Sequence, residues 1–368
     1  MYRRRTVIIG GYGTVLRVRH DALEMFPGIA SARDLVNRVP VRLDRGVHGI
    51  EQVIIFQESR GSVSLDALSW LQEQGIAVSI IDYRGRLVSQ LTAGGTGRVE
   101  LHDGQWYLTH DETARLPIIR SLVNAKLLRQ ADTLDDLSSL FSSPVQGRVR
   151  EYATQLRAYC RWFDVPDSGP VSSPSRLMLV EGRAARGYWE FLAHLPVRFT
   201  PPSYARTLPA HWLVVGPRHS PVRAMRTAQS ATSPVQALLN YGYALLESRI
   251  RLSIQASGLN PAIPVFHALR DGRDSLVFDL MEPFRPRLDQ VLISWVMQHQ
   301  PYRKGDFLQD REGSIRINPV LLRVVARELV RVMETWHAEI DEWCTRLTDL
   351  ALTMRRLVHH AERRVTAR

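Results

Sequence analysis

The stretch GIAVSIIDYRGRLVSQLT, residues 75–92, carries two apolar runs on either side of a short turn that contains a glycine. Short runs rich in β-branched residues and separated by such turns are typical of strands. Similar runs precede it in TVII (6–9), VLRVRH (15–20) and EQVIIF (51–56). The first hundred residues therefore predict a β-rich domain.

One helix and several turns complete this predicted domain. SVSLDALSWLQEQG (62–75) has the pattern of a short helix that ends at a glycine. GGYGTV (10–15) lacks the third glycine of a dinucleotide-binding loop and no helix pattern follows, so it predicts a hairpin turn. We expect the domain to cover residues 1–98, with LTAGGTGR (91–98) as its exit and residues 99–112 as a linker.

From about residue 113 the apolar residues recur with helical spacing, which predicts a larger all-helical domain over residues 113–368. Three of its helices are predicted to begin with a serine cap followed by proline, at Ser143, Ser173 and Ser233. Further helices are expected over 318–338 and 340–362. Between them, the Pro-, Arg- and Ser-rich residues 199–232 predict a mobile loop. The expected fold class is α+β with two domains.

Composition limits the functional classes. The chain has 368 residues, of which 45% are hydrophobic, and only two cysteines, without CxxC spacing. This argues against a disulfide scaffold or a thiolate zinc site and fits a reducing cytoplasm. No apolar run reaches transmembrane length, and the basic start MYRRRTVIIGG has too short an apolar segment for a signal peptide. We expect a soluble cytoplasmic protein without a membrane role.

The formal net charge is +11, which points to a polyanionic partner such as nucleic acid. Only Lys126 and Lys304 are lysines, and the other 46 of the 48 basic residues are arginines. Codon bias accounts for most of this ratio, but it does not account for the excess of positive charge. Nucleic acid is therefore the expected partner class.

A glutamate lies on the apolar face of the predicted helix in SRLMLVEGRAARGYWEFLAHL (175–195). At 100° per residue, Glu181 falls between Leu177 and Ala184 on the stripe that continues through Tyr188. A carboxylate on the core face needs a cationic partner or a metal. A buried Arg–Glu pair and a metal ligand remain equally open from this helix alone.

A second group of candidates lies in VFHALRDGRDSLVFDLMEPFRP (265–286). Asp279 and Glu282 are three residues apart, so on a helix their side chains lie on the same side. They and His267 have an ordinary interpretation as core residues, with the acids paired to the arginines of this stretch. Taken together with Glu181, they form a mixed nitrogen and oxygen set suited to Mg²⁺ or Mn²⁺. Basic charge beside such a site suggests phosphodiester chemistry on nucleic acid.

Several stretches resemble the CRISPR-associated endonuclease family, the integrase subunit of spacer acquisition. The matching stretches follow the expected order along nearly the whole chain: SVSLDALSWLQEQGIAV (62–78), NAKLLRQ (124–130), LVEGRAARGYW (179–189), SPVQALLNYGYALLESRI (233–250) and GLNPAIPVFHALRDGRDSLVFDLMEPFRP (258–286). The last is the most specific. The resemblance implies a β-sandwich-like N-terminal domain for dimerisation and partner contact, followed by a helical catalytic domain.

The resemblance also implies a divalent metal, Mg²⁺ or Mn²⁺, held by Glu181, His267 and Glu282. Asp279 matches the other acid of the motif, which in the family supports the site or binds the metal directly. Arg270, Arg273 and Arg285 are candidates for holding DNA phosphates. The implied assembly is a homodimer that binds DNA, with two dimers bridged by a small ferredoxin-like second adaptation subunit.

The expected reaction is direct transesterification, in which the 3′-hydroxyl of a short duplex attacks a phosphodiester at a CRISPR repeat boundary. Two alternatives remain open from sequence. The same site could serve a structure-selective nuclease that cleaves branched DNA with water in repair. The candidate residues could also form only ion pairs in a non-catalytic DNA-binding scaffold.

Overall fold

The computed structural model describes residues 5–29, 39–46, 49–58, 60–92, 97–164, 172–217 and 231–366. Contacts divide the chain into two compact units, each built from three segments. Unit 1 comprises Met1–Gly94, Pro196–Ser248 and Trp295–Thr335, and unit 2 comprises Gly95–Leu195, Arg249–Ser294 and Trp336–Arg368. The long helices and small sheets make this an α+β protein, as predicted.

The N-terminal part of unit 1 contains two four-stranded sheets and one helix. The strands are β1 (Arg5–Gly11), β2 (Val15–Arg19), β3 (Ala22–Phe26), β4 (Val41–Leu43), β5 (Ile50–Gln57), β6 (Ser62–Val63), β7 (Ala77–Asp82) and β8 (Leu87–Leu91), and the helix is α1 (Leu65–Glu73). The strand orders are β1-β5-β7-β8 and β4-β3-β2-β6. The predicted strands are thus present, together with β3, β4 and β6, which their short or mixed sequences did not reveal.

Strand positions follow one prediction, and strand pairing corrects another. Residues 75–92 contain the two strands and the turn expected there, and β7 and β8 in addition pair antiparallel around Gly85. Residues 10–15, in contrast, are not a hairpin turn, because β1 and β2 belong to different sheets. β1 instead pairs in parallel with β5, with Ile8 opposite Ile54, so its hydrogen bonds are made to a distant segment.

Both sheets and α1 contribute to one apolar core in unit 1. Leu16 of β2, Val53 of β5 and Trp70 of α1 are fully or almost fully buried in the same cluster. The indole nitrogen of Trp70 donates a hydrogen bond to the carbonyl of Asp21 at 3.0 Å, so its polar atom is satisfied at the edge of the core. The alternation of apolar residues in the strands is therefore explained by this shared core.

The remaining elements are mostly helices. They are α2 (Val99–His110), α3 (Glu112–Leu137), α4 (Ser143–Cys160), α5 (Pro174–Leu192), α6 (Pro202–Ala205), α7 (Pro234–Ala256), α8 (Ser275–Met281), α9 (Arg285–Gln298), α10 (Pro319–Met333) and α11 (His337–Thr366). The predicted cap of α4 was displaced by one residue, since Ser142 rather than Ser143 precedes the helix. Within the described residues, no helix combines the length and apolar character needed to cross a membrane.

The structure corrects the predicted linker and the predicted all-helical C-terminal domain. Most of the expected linker, residues 99–112, forms α2, in which Leu101 and Leu108 lie on the same helical face and are buried. The C-terminal region is also not entirely helical. It contains the short strands β9 (Phe199–Thr200), β10 (Tyr302–Arg303), β11 (Phe307–Gln309) and β12 (Ile315–Ile317).

The predicted mobile loop, residues 199–232, is only partly described. It contains β9 and α6, and β9 pairs in parallel with β10. Phe199 at its start is buried and contacts the rings of Tyr302 and Phe307. Residues 218–230 lie outside the described residues. The aromatic contacts explain why the first part of this stretch has regular structure despite its prolines.

The packing of α2 on α11 depends on Gly104. A methyl group on Gly104 would overlap the carbonyl of Ala351, so the two helix backbones approach each other closely there. We expect Gly104→Ala to lower the free energy of unfolding by about 1–3 kcal/mol through overpacking. Gly147 on α4 provides the control, since nothing lies near its added methyl, and Gly147→Ala should stabilise by about 0.5–1 kcal/mol. Urea unfolding checks both, and equal effects of the two substitutions would contradict the close approach.

Candidate functional site

Helix α5 places Glu181 at the edge of the core of unit 2. Ser173 caps this helix, because its hydroxyl accepts a hydrogen bond from the backbone nitrogen of Arg176 at 3.3 Å. The predicted apolar stripe is confirmed, with Leu177, Ala184 and Tyr188 buried. The Glu181 side chain is 19% exposed, so its carboxylate is mostly removed from water. A charge in this position needs a partner.

That partner is Lys126 of α3, a residue outside the predicted site set. Its ammonium contacts Oε1 of Glu181 and also lies 2.5 Å from Oε2 of Glu282. Burial on its own would lower the pKa of Lys126, but the two carboxylates outweigh that effect and raise it. Lys126 is therefore a buried cation, and two predicted metal ligands converge on its nitrogen.

Glu282 lies at the junction of α8 and α9, where Pro283 and Pro286 accompany the break between the two helices. It is 5% exposed, and Arg285 approaches its Oε1 to 3.2 Å. Burial tends to raise the pKa of Glu282, but Arg285 and Lys126 overcome this and hold the pKa at about 2. Glu282 is thus an anion across the physiological pH range.

Asp279 is fully buried and organises the loop before α8. Its Oδ2 accepts hydrogen bonds from the backbone nitrogens of Val265 and Phe266, at 2.7 and 2.8 Å. Its Oδ1 accepts from the backbone nitrogen of His267 at 3.0 Å and lies 2.5 Å from Nδ1 of the same residue. These four contacts fix both the backbone and the ring of His267.

The contact with Asp279 also determines the tautomer of His267. Because a carboxylate can only accept, Nδ1 of a neutral His267 carries the proton and donates it. The lone pair is then on Nε2, the nitrogen that can bind a metal, and carboxylate–histidine pairs commonly orient metal ligands in this way. Both oxygens of Asp279 thus contact residues 265–267, an arrangement that holds the backbone and the ring of His267 in place.

The predicted phosphate-binding arginines are in three different situations. Arg285 contacts Glu282, and the guanidinium of Arg273 lies 4.4 Å from the ring centre of Phe278. Arg270 is exposed on the segment between His267 and α8. The structure therefore brings Arg285 to the carboxylate of Glu282 and leaves the other two on the adjoining loop.

As they are arranged in the structure, the described acidic residues do not form a cluster that could hold a metal ion. Across the described part of the chain, no group of three or more His, Cys, Asp or Glu side chains is close enough to hold a metal ion. Lys126 lies between Glu181 and Glu282 instead. The ion pairs considered as the alternative interpretation of these residues are thus present, with Lys126 as the partner of Glu181.

The chemical types of the donor atoms nevertheless suit a hard divalent cation. Two carboxylates meet at one point that already carries a positive charge, and His267 is near enough to Glu282 to contribute to its electrostatic environment. Carboxylate oxygens with one imidazole nitrogen suit Mg²⁺ or Mn²⁺. Loading a metal between the two glutamates would require the Lys126 ammonium to move.

Lys126 could have been found from the sequence by its type. In a chain in which 46 of 48 basic residues are arginine, a lysine among the apolar residues Leu122, Val123 and Leu127 is unusual. Helical spacing on α3 places those three neighbours in the core, and all are buried. The signal is a lysine on a buried helix face in a chain whose other basic residues are almost all arginines.

The lowered pKa of Glu282 predicts a pH-dependent contribution to stability. Its ionised form is favoured in the folded protein, so the contribution is complete above the unfolded value of 4.5 and is lost as the pH falls toward about 2. Glu282→Gln does not titrate. The difference in unfolding free energy between wild type and Glu282→Gln should shrink by about 2 kcal/mol between pH 6 and pH 3. Urea unfolding with a chelator present measures it, and a constant difference would contradict the ion-pair geometry.

Comparisons with known proteins identify relatives of the chain. A sequence model of the family described as "CRISPR associated protein Cas1" matches residues 7–331. The CRISPR-associated endonuclease Cas1 of Korarchaeum cryptofilum is 26% identical over 305 residues, which cover 80% of this chain and 79% of that protein.

Two solved structures share the fold. A casposase bound to its integration product superposes with a TM-score of 0.69 at 22% identity, covering 94% of this chain and 91% of that one. A chain of a Cas6-RT-Cas1–Cas2 complex gives a TM-score of 0.67 at 17% identity, covering 95% of this chain and 35% of that one. At these identities the two structures establish the similarity of fold.

Proposed function

Because this chain belongs to the Cas1 family of CRISPR-associated proteins, we propose that it is the DNA-joining enzyme of CRISPR spacer acquisition. The single observation that carries the catalytic part of the proposal is the convergence of Glu181 and Glu282 on one buried cation, beside a histidine oriented by Asp279. A non-catalytic scaffold has no need for this arrangement of buried charge, which is costly to form.

The proposed metal ligands are Glu181, Glu282 and Nε2 of His267. When bound there, Mg²⁺ or Mn²⁺ supplies the Lewis acidity that polarises a phosphoryl oxygen and favours ionisation of an attacking hydroxyl. The chain supplies the anionic oxygens, and Asp279 holds the His267 ring in the tautomer that leaves Nε2 unprotonated. Glu282 stays ionised because Arg285 and Lys126 lower its pKa.

The proposed reaction is a transesterification. The 3′-hydroxyl of a short duplex gives up its proton as its oxygen forms a bond to phosphorus in the target strand. The bond from that phosphorus to the target 3′-oxygen breaks, and the departing oxygen takes up a proton, so that there is no net change in protons. Arg270 and Arg273 are proposed to hold phosphates, since both lie on the loop that leads from His267 to α8. Arg285 is the least suited of the three, because it already contacts Glu282.

The proposed partners follow from charge and from the relatives. A net charge of +11 supports binding to DNA, both as the short duplex and as the repeat. The related complex named Cas6-RT-Cas1–Cas2 supports a second adaptation subunit, for which we propose a small ferredoxin-like protein. We further propose that the chain is a homodimer, with residues 1–98 forming a β-sandwich-like contact domain. Both cysteines are buried and neither forms a disulfide, in keeping with the proposed cytoplasmic location.

A joining assay tests the proposed function and separates it from the alternatives. The protein is given a short duplex with free 3′-hydroxyl ends and a supercoiled plasmid that carries a repeat, in Mn²⁺ or Mg²⁺. Joined products are expected, and they should be absent when the duplex ends in 2′,3′-dideoxynucleotides. Cleavage without joining would assign a nuclease instead, and DNA binding without either product would assign a scaffold.

A further inference from the structure

Lys126 is the most deeply buried basic group of the candidate site. Its side chain is 9% exposed, whereas Lys304, the other lysine of the chain, is exposed. The ammonium contacts one oxygen of Glu181 and one of Glu282, and these come from different helical segments. Lys126 therefore occupies the point at which the two carboxylates meet.

The formal charges of the four side chains in direct contact sum to zero without any added ion. Glu181 and Glu282 contribute two negative charges, and Lys126 and Arg285 contribute two positive charges at contact distance. Two buried carboxylates without a cation between them would repel each other in a region of low dielectric. The ammonium thus provides what a bound metal would provide, namely a positive charge that holds the two ligands together.

The shape of the cation also matters. An ammonium is a compact point charge with three donors, while a guanidinium is a broad planar fork. Only the compact group resembles a small metal ion in size and in the way several oxygens can surround it. This offers a physical reason for a lysine at this buried position in a chain that otherwise uses arginine almost exclusively.

We propose that Lys126 is a built-in substitute cation, which holds Glu181 and Glu282 together before metal binding and leaves the space between them when the metal enters. The proposal rests on the metal-dependent function proposed above. It follows that Lys126 stabilises the metal-free protein and weakens the apparent affinity for the metal, because two cations compete for the same oxygens.

Lys126→Met separates these effects, because methionine keeps much of the length and apolar volume of lysine without its charge. The dissociation constant for Mn²⁺, measured by calorimetry on the full chain without DNA, should fall about tenfold or more in the variant because a competing charge is removed. The melting temperature should fall in the presence of a chelator and recover at saturating Mn²⁺. Lys304→Met, at the exposed lysine, should leave both quantities unchanged.

Each outcome decides a specific point. An unchanged or weaker affinity for Mn²⁺ in Lys126→Met would overturn the substitute-cation proposal while leaving the metal site in place. Failure of the wild type to bind Mn²⁺ would refute the metal site itself, and the proposal with it.

A folding defect in the variant is also informative. If Lys126→Met is unfolded without metal, Mn²⁺ should restore its circular dichroism spectrum, as expected if the metal replaces the ammonium. Lys126→Gln, which can still donate hydrogen bonds, serves as the second variant and should also bind Mn²⁺ more tightly than wild type. If both variants remain unfolded at saturating Mn²⁺, the metal cannot replace Lys126 and the proposal is wrong.

Discussion

Glu181→Gln is expected to reduce the rate of DNA joining by about 100-fold or more, because it removes one of the two carboxylates proposed to hold the metal. The amide keeps the size of the side chain, so the apolar stripe of α5 that packs around Leu177 and Ala184 should be unaffected. Lys126 would keep its contact with Glu282, which limits the cost to folding. The measurement is the initial rate of joined product from a 3′-hydroxyl duplex and a supercoiled plasmid in Mn²⁺.

Glu190→Gln supplies the matched control. Glu190 lies on the same helix but is exposed, so its replacement removes the same charge without touching the site. Its joining rate should equal that of wild type, and fluorescence anisotropy should show that Glu181→Gln still binds DNA. Normal joining by Glu181→Gln would refute the assignment of Glu181 to the catalytic centre.

Asp279→Ala is expected to lower the free energy of unfolding by about 3–5 kcal/mol, since it leaves several buried donors without an acceptor. The fully buried carboxylate of Asp279 accepts from three consecutive backbone nitrogens, those of Val265, Phe266 and His267. No methyl group can replace those contacts, and the ring of His267 would lose its orientation as well. Urea unfolding followed by circular dichroism measures the loss.

Asp271→Ala is the control for this prediction. Asp271 is exposed in the same loop between His267 and α8, so its removal should change the unfolding free energy by less than about 0.5 kcal/mol. A loss below about 1 kcal/mol for Asp279→Ala would mean that the buried hydrogen bonds do not hold the loop. It would also contradict a role of Asp279 in positioning His267.

Local periodicity was sufficient to predict several features of the fold. The spacing of Leu177, Ala184 and Tyr188 gave the buried face of α5 and placed Glu181 among them, because a helix alone determines which side chains share a face. The strands β7 and β8 and the turn between them were predictable for the same reason, since all three are contiguous. These features depend on interactions between residues close together in the sequence.

Features that depend on distant segments could not be predicted in this way. The parallel pairing of β1 with β5 joins strands about forty residues apart, and nothing in β1 specifies its neighbour. The burial of Leu101 and Leu108 likewise became visible only once α2 was seen to pack on α11. Short strands such as β9, at Phe199–Thr200, carry too few residues to show an alternating pattern.

The candidate site also has features that the sequence predicted and features that depend on contacts between distant segments. The sequence and its family resemblance predicted Glu181, His267 and Glu282 as a group, and the two glutamates do converge. The sequence did not predict that Lys126 lies between them, since that contact joins α3 to two other segments. The role of Asp279 was open for the same reason. Its carboxylate accepts hydrogen bonds from backbone nitrogens of residues 265–267, and the positions of these nitrogens depend on how the loop folds.

The most direct test of the proposed metal centre is pulsed EPR of Mn²⁺ bound to the protein. The proposal predicts a coupling from a directly bound imidazole nitrogen, which should disappear in His267→Gln. Since the chain has 12 histidines, His194→Gln on an exposed residue is the control and should retain the coupling. A nitrogen coupling that persists in His267→Gln, or bound Mn²⁺ without any nitrogen coupling in the wild type, would contradict a centre formed by Glu181, His267 and Glu282.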